Sequence, residues 1–233
     1  MILALNTSTI QFSLAIMSEQ GIVLAEHLIS PLGNNFKRFM PSIESLFVSS
    51  KVEMSELKAI VVSTGPGSFT GLRVGLSVAK GMAQGLKIPV IGVPCLESMA
   101  YQLPYSVHPI TATLTSRKGE VFIAMFKWND IRGIERLRED SSVKIDNLNS
   151  YVDTQTIFIG NDYNAHGDLI KKLLGDRALM APSHLWNLKA SCVGALGLER
   201  FNKKDFDDVQ ELIPSYLKPP DIRPNPSLPI KDA

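Results

Sequence analysis

The chain has 233 residues, of which 45% are hydrophobic and 20% charged, with a formal net charge of +1. This length allows one domain or two small lobes, and the near-neutral charge provides no long-range attraction to nucleic acid. No apolar run reaches the roughly 18 residues that span a bilayer, and the first residues carry no basic leader. We therefore expect a cytoplasmic protein without membrane contact.

The two cysteines, Cys95 and Cys192, match neither a CxxC motif nor a zinc-site spacing. Buried thiols in a reducing compartment are the simplest interpretation, although the sequence leaves a disulfide between them open.

The N-terminal segment alternates short apolar runs with turn residues. Residues 2–5, 12–17 and 22–29 are predicted strands, and Gly21 marks the hairpin between the last two. After a break at Pro31 and Gly33, apolar residues recur at helical spacing over residues 36–47. Pro41 should kink or delay that helix, because proline lacks the N–H of a helix interior.

Residues 59–86 organise the rest of the chain. A buried strand over residues 59–63 leads into the glycine-rich loop GPGSFTG, and a helix starts near Thr70. Glycine in a helix interior costs about 1 kcal/mol relative to alanine, so the glycines of this helix need a reason. Two rows of small residues run along it, one of Gly71, Gly75, Ala79 and Ala83 and the other of Ser77, Gly81 and Gly85.

The predicted helix is apolar round most of its circumference, which is typical of a helix buried on two sides. One side should face the chain's own sheet, and the other either a second helix of this chain or a helix of another subunit. The sequence does not decide which row faces outward. We predict a partner interface formed by Gly71, Leu72, Gly75, Leu76, Ala79 and Met82.

The loop before this helix could bind phosphate, since glycines let backbone N–H groups approach an anion at a helix N-terminus. It lacks the Gly-Lys-Ser/Thr ending of a P-loop, and its glycines are spaced too widely for the dinucleotide fingerprint. The alternative is a tight turn in which short hydroxyl side chains satisfy the backbone. The candidate phosphate-binding or nucleotide-binding residues are Thr7, Ser8, Gly65, Gly67 and Ser68.

The second half of the chain repeats the first in a reduced form. Residues 2–8 and the strand after them resemble residues 110–116 and the strand after those, with a third strand after each pair. Gly160-Asn161-Asp162 replaces the long glycine-rich loop. The other predicted elements are strands over 90–93 and 156–159 and helices over 96–102, 165–174 and 190–201.

Proline-rich sequence from Pro214 onward rules out a helix or a central strand. We expect an extended tail that docks at Tyr216 and Leu217 and is frayed beyond them. The predicted organisation is an N-terminal lobe over residues 1–104, a degenerate C-terminal lobe over 105–218 and a tail over 219–233.

This duplicated α/β pattern resembles the actin, sugar-kinase and Hsp70 superfamily, the ASKHA fold, with two RNase H-like lobes. Within it, the segments MILALNTST, VSTGPGSFTGLRVG, GLKIPVIGV, SRKGEVF and PSYLK resemble, in order and spacing, the TsaB (YeaZ) family. The resemblance runs from Met1 to about Lys218, and GPGSFTGLRVG is its most specific part.

The resemblance implies a non-catalytic paralogue of TsaD. Such a protein binds TsaD-like and TsaE-like proteins for threonylcarbamoyl transfer to adenosine 37 of tRNAs that read codons beginning with A. It implies a homodimer in the absence of those partners, tRNA contact only through the complex, and ATP and metal on the partner subunits rather than on this chain. The helix after the glycine-rich loop would form the shared interface.

Departures from the superfamily pattern argue against catalysis by this chain. Asn6 stands where most relatives carry aspartate, which removes the carboxylate that orients Mg²⁺ in the kinases, and Thr115 replaces a second aspartate. The residues after the third predicted strand lack the His-x-x-x-His pair of TsaD-like proteins. The four histidines, His27, His108, His166 and His184, suit no single-helix metal site. We predict neither catalytic residues nor metal ligands.

Three rival hypotheses stay open. The main alternative is an ATP-binding small-molecule kinase or ATPase of the same fold, which tight Mg²⁺-ATP binding would favour. A metalloprotease is disfavoured by the missing ligands. A homodimer with an unrelated role would be favoured if the chain bound no TsaD-like protein.

Overall fold

The computed structural model describes residues 1–30, 35–117, 119–131 and 133–218. They form two five-stranded mixed sheets of identical strand order. In the first sheet the order is β3-β2-β1-β4-β5, with β1 antiparallel to β2 and parallel to β4. Its strands are β1 (Ile2–Asn6), β2 (Phe12–Met17), β3 (Val23–Ile29), β4 (Ala59–Gly65) and β5 (Val90–Pro94).

The second sheet repeats this arrangement as β8-β7-β6-β9-β10, with β6 in the central position that β1 holds in the first. The matching order confirms the internal duplication inferred from the sequence. Its strands are β6 (Ile110–Thr115), β7 (Glu120–Asn129), β8 (Gly133–Lys144), β9 (Thr156–Gly160) and β10 (Ala178–Met180).

The helices are α1 (Phe39–Ser50), α2 (Phe69–Leu86), α3 (Cys95–Ala100), α4 (Leu148–Tyr151), α5 (Tyr163–Leu174) and α6 (Ala190–Asn202). A 3₁₀ turn precedes α1, and Pro41 falls in the first turn of α1, where its missing N–H costs no intrahelical bond. The α-helix begins at Phe39, two residues before Pro41, so it is not delayed as far as Pro41 itself. The predicted break at Pro31 and Gly33 lies outside the described residues.

Both faces of β1, β2, β4 and β5 are covered, which explains why these strands are nearly continuous apolar runs, whereas the edge strand β3 is largely exposed. Leu3 and Leu5 of β1 pack in the outer core with α1 and α2, whereas Ile2 and Ala4 pack in the inner core that extends to the second sheet. Every residue of β1 is fully buried.

The inner layer between the two sheets is made of exchanged helices. Helix α3, which follows the first sheet in the chain, packs mainly on β6, β7 and β8, and α6, from the end of the second repeat, packs on β1, β2, β4 and β5. The close approach of α6 to the first sheet needs glycine: a methyl group on Gly194 would lie 2.5 Å from the Met17 sulfur. Each lobe thus supplies the helix that closes the other.

No helix among the described residues is long and apolar enough to cross a membrane. Cys95 and Cys192 are both free thiols, so the disulfide left open by the sequence is absent. Burial raises the pKa of each thiol from 9.0 to about 11, which keeps both protonated and unreactive at neutral pH.

Candidate functional site

A cleft of about 360 Å³ opens where the central strands of the two sheets end. The β1–β2 turn and the β4–α2 loop line it from the first lobe, and the β6–β7 turn and the residue after β9 line it from the second. Its polar lining residues are Ser8, Thr9, Ser68, Thr115, Ser116, Arg117, Asn161, Ser215 and Lys218.

Asn6 lies beneath this cleft and is completely buried. Its carbonyl oxygen accepts hydrogen bonds from the Ser8 N–H at 3.0 Å, the Ser8 hydroxyl at 2.6 Å and the Ser63 hydroxyl at 3.1 Å. Its NH₂ group donates to the Leu188 carbonyl at 3.1 Å, just before α6. The amide therefore joins the two repeats, and an aspartate could not make the bond to Leu188 unless it were protonated.

The predicted phosphate-binding residues divide into cleft-lining and buried positions. Ser8, Gly67 and Ser68 line the cleft, whereas Thr7 and Gly65 do not. The Ser68 hydroxyl accepts the Gly71 N–H at 3.2 Å and so caps α2, while the Ser8 hydroxyl is bound to Asn6. These bonds match the alternative of a tight turn that satisfies its own backbone, and phosphate binding by the loop stays a prediction.

The predicted partner row of α2 faces the chain's own core, which corrects its assignment to an interface. Among the predicted interface residues, Gly71, Leu72, Gly75, Leu76 and Ala79 are buried, and Met82 is half-buried. A methyl group on Gly71 would overlap the Thr7 carbonyl oxygen, and one on Gly75 would overlap the Thr7 hydroxyl. The glycines of this row therefore let α2 sit directly on the end of β1.

The second small row, of Ser77, Gly81 and Gly85, faces outward, and each of these residues is exposed. Among the described residues, a methyl group on Gly81 or Gly85 would meet nothing within 4 Å, and neither glycine has a positive φ. Nothing in the described part of the fold therefore requires glycine at these two positions, although each costs helix stability. We call Arg73, Ser77, Gly81, Gln84 and Gly85 the outward face of α2.

An apolar groove adjoins α1, the other helix on the same face of the first sheet. It has a volume of about 710 Å³ and is lined by Met40, Phe47, Val48 and Met54 among others. Met40 is 54% exposed and Val48 75% exposed. Sequence periodicity marked α1 as amphipathic but did not indicate that its outer side also carries large apolar residues.

In the second lobe, side chains that follow β9 form hydrogen bonds with the residues at the ends of nearby strands and helices. Asn161 accepts hydrogen bonds from the Thr115 N–H at 2.8 Å and the Thr115 hydroxyl at 3.1 Å, and the Asp162 carboxylate caps α5 by accepting the Ala165 N–H at 3.0 Å. Thr115, read as a departure from a metal-binding aspartate, thus pairs with an amide. Within the described ranges, no group of three His, Cys, Asp or Glu residues is arranged to hold a metal ion.

Tyr216 and Leu217 dock on the fold as predicted, but the docked segment is longer than the sequence indicated. Residues 205–218, here called the C-terminal strap, run from the end of α6 along β5 and over the start of α2. Tyr216 stacks on Phe69 with ring centroids 5.1 Å apart and accepts a hydrogen bond from Arg73 at 3.1 Å. The predicted frayed part, residues 219–233, lies outside the described residues.

Two sheets of one strand order, exchanged inner helices and a cleft between the strand ends define a two-lobed protein of the ASKHA class. Solved structures agree with this fold. YeaZ from Pseudomonas aeruginosa superposes with a TM-score of 0.76 and 22% identity, over 93% of this chain and 99% of that chain. An activator of the 2-hydroxyisocaproyl-CoA dehydratase from Clostridium difficile, solved with bound ADPNP, gives 0.52 and 11% identity over 89% and 98%.

Sequence comparison narrows the class to a family. A family model described as "TsaD: tRNA N6-adenosine threonylcarbamoyltransferase" matches residues 34–221. The Bacillus subtilis protein named tRNA threonylcarbamoyladenosine biosynthesis protein TsaB is 30% identical over 220 residues, which cover 93% of each chain. The chain belongs to the TsaB (YeaZ) family, within the wider group that the TsaD model describes.

Proposed function

We propose that this chain is a non-catalytic subunit in tRNA threonylcarbamoyladenosine biosynthesis. It binds a TsaD-like protein and acts with a TsaE-like protein in threonylcarbamoyl transfer to adenosine 37 of tRNAs that read codons beginning with A. ATP and metal belong to the partner subunits, tRNA is reached only through the complex, and the free chain pairs with itself. Relatives named for this pathway at 30% and 28% identity support the proposal.

The outward face of α2 is the observation that carries the binding role. Two exposed glycines with open space above them allow the backbone of another helix to approach closely. The half-buried Val74, Val78 and Met82 flank this row and supply apolar area for an interface. Together with the groove beside α1, they give this face of the first sheet the exposed apolar character of a docking surface.

The buried polar residues support a role without catalysis by this chain. Asn6 is committed to hydrogen bonds that tie the two repeats together, and the hydroxyls of Ser8 and Ser68 are committed to local bonds. The main rival, an ATP-binding kinase or ATPase, has only the fold and the cleft in its favour. Calorimetric titration of the chain with Mg²⁺-ATP tests that rival directly, since micromolar binding would support it over the scaffold role.

The experiment that tests the proposal is light-scattering mass measurement of the chain alone and mixed with a TsaD-like protein from the same cell. We expect a heterodimer to replace the homodimer. Replacing Gly81 with leucine should weaken both associations about tenfold or more, because the side chain fills the space that a partner helix would occupy. An unchanged mass in the mixture would contradict the proposal.

Ala165→Leu is a matched control for this substitution. Ala165 is an exposed small residue on α5 of the second lobe, so the same leucine side chain is placed on a helix away from the outward face of α2. We expect association to be unchanged in this variant. If Gly81→Leu and Ala165→Leu associate equally well with the TsaD-like protein, the outward face of α2 is not the interface.

A further inference from the structure

The first half of the C-terminal strap is fixed to the edge of the first sheet. The Asp207 N–H donates to the Val90 carbonyl at 3.1 Å, and its carboxylate accepts the Gly92 N–H at 2.7 Å. Arg200 at the end of α6 donates to the same carboxylate at 2.9 Å. Leu212 lies against Gly92, where a methyl group would come within 2.7 Å of its side chain. The strap thereby covers the edge of β5, which would otherwise be open.

The second half of the strap crosses from one lobe to the other. The Ser215 N–H donates to the Thr64 carbonyl at 2.7 Å, and a methyl group on Gly65 would lie 2.5 Å from the Ser215 carbonyl oxygen. Tyr216 then docks on Phe69 and Arg73 at the start of α2. Two residues later, the Lys218 ammonium pairs with the carboxylate of Glu120, which begins β7 in the second sheet.

The strap also divides the space between the lobes. Ser215 and Leu217 line the cleft of about 360 Å³ and, on their other side, a second cavity of about 330 Å³. That second cavity is bounded by Thr64, Gly65 and Pro94 from the first lobe and by Arg136, Glu139 and Asp140 from the second. Displacing residues 214–218 would join the two cavities into one larger opening between the lobes.

We propose that residues 214–218 act as a releasable latch that holds the two lobes closed around the cleft. The anchored half at Asp207 keeps the strap attached, while the crossing half can leave. Its ion pair with the second lobe is partly open to water, since the side chains of Lys218 and Glu120 remain 28% and 21% exposed, and a solvated pair is released more easily than a buried one. The aromatic contact of Tyr216 with Phe69 binds the strap to the first lobe more strongly than the ion pair binds it to the second.

Charge reversal of the ion pair in the full chain tests the latch. Hydrogen exchange is followed by mass spectrometry in peptides that cover the β4–α2 loop and the β6–β7 turn. Lys218→Glu and Glu120→Lys should each raise exchange there about threefold to fivefold, and the double variant should return to within about twofold of the wild type, since it restores the pair in reverse. Tyr216→Ala should give a rise of about tenfold.

Lys58→Glu is the matched control for Lys218→Glu. It makes the same change in net charge at an exposed residue of the first lobe, away from the cleft. Thermal unfolding of every variant separates local opening from global destabilisation. A raised exchange confined to the cleft peptides, with the double variant restored, supports the latch. Exchange at the wild-type level in both Lys218→Glu and Tyr216→Ala, or a double variant no closer to the wild type than the single ones, overturns it.

Discussion

The two lobes share a strand order and differ in the helix that comes after the fourth strand. In the first lobe, β4 leads into the 18-residue α2, whose small residues allow close contact on both the inner and the outer side. In the second, β9 leads into the 12-residue α5, whose exposed side carries charged residues such as Asp168 and Lys171. The two lobes therefore share a strand order, and they differ in whether this helix presents the proposed docking surface or an ordinary solvated one.

The largest expected effect comes from the buried amide of the first lobe. Asn6→Asp should lower the free energy of unfolding at pH 7 by about 2 to 3 kcal/mol, because the new carboxylate loses the bond to Leu188 and is fully buried. Burial should raise the pKa of this carboxyl, and its protonated form can donate to Leu188. The deficit should therefore shrink as the pH falls from 7 to 5, which urea denaturation at both values measures.

The equivalent change in the second lobe is Asn161→Asp. Asn161 is half-buried and acts there as an acceptor for Thr115, a role that a carboxylate retains. We expect a loss below about 1 kcal/mol. If Asn6→Asp and Asn161→Asp lost the same free energy of unfolding, the two amides would play the same structural part, and the proposed difference between the lobes at this position would be wrong.

A glycine-to-alanine series separates the inner and outer sides of α2. Gly71→Ala should cost about 2 kcal/mol, since the new methyl group overlaps the Thr7 carbonyl. Gly81→Ala should raise stability by up to about 1 kcal/mol, because the helix gains propensity and nothing lies in the way. Chemical denaturation of each variant gives both values.

Gly167→Ala on α5 belongs to the same series. Its effect on the free energy of unfolding should lie between those of Gly71→Ala and Gly81→Ala. Its methyl group would lie 3.2 Å from the ring of Tyr163, which can shift by a few tenths of an ångström.

A destabilised Gly81→Ala variant would mean that the outward face of α2 is constrained within the chain itself, which would remove the argument that its glycines serve a partner.

The smallest expected effect concerns pH and the second lobe. Burial lowers the pKa of His166 on α5 below its usual 6.5, although the carboxylate of Asp162 acts in the opposite direction. A base with a lowered pKa contributes stability that is present above pH 6.5 and is lost as the pH falls below it. The free energy of unfolding should therefore fall less between pH 7 and 5.5 in His166→Gln than in the wild type. His184→Gln, which changes an exposed histidine, is the control and should behave like the wild type.

The sheets could be predicted because burial on both faces leaves a clear mark on sequence. Continuous apolar runs gave β1, β2, β4 and β5 to within two residues at each end, and the repeat between residues 2–8 and 110–116 indicated the duplication. Helix α4 and strand β10 were missed. They contain four and three residues, too few to show a period.

The orientation of α2 could not be predicted, because its two small-residue rows have nearly the same composition. The residue that distinguishes them is Thr7, more than 60 positions away in sequence, which packs on Gly71 and Gly75. The strap escaped prediction for a similar reason. Its bonds to Val90 and Thr64 join backbone to backbone, and its bond to Gly92 joins the Asp207 side chain to backbone; all three span long sequence separations and leave no local pattern.

The exchange of α3 and α6 between the lobes has a consequence for the order in which the molecule can be completed on the ribosome. All strands of the first sheet lie before residue 95, but most of the cover on its inner face comes from α6 (Ala190–Asn202), which is synthesised much later. The nascent first lobe therefore exposes part of its apolar inner face from the completion of β5 at Pro94 until α6 has been made. Apolar surface that stays exposed during synthesis favours aggregation, so the first lobe is not protected by having all five strands of its sheet.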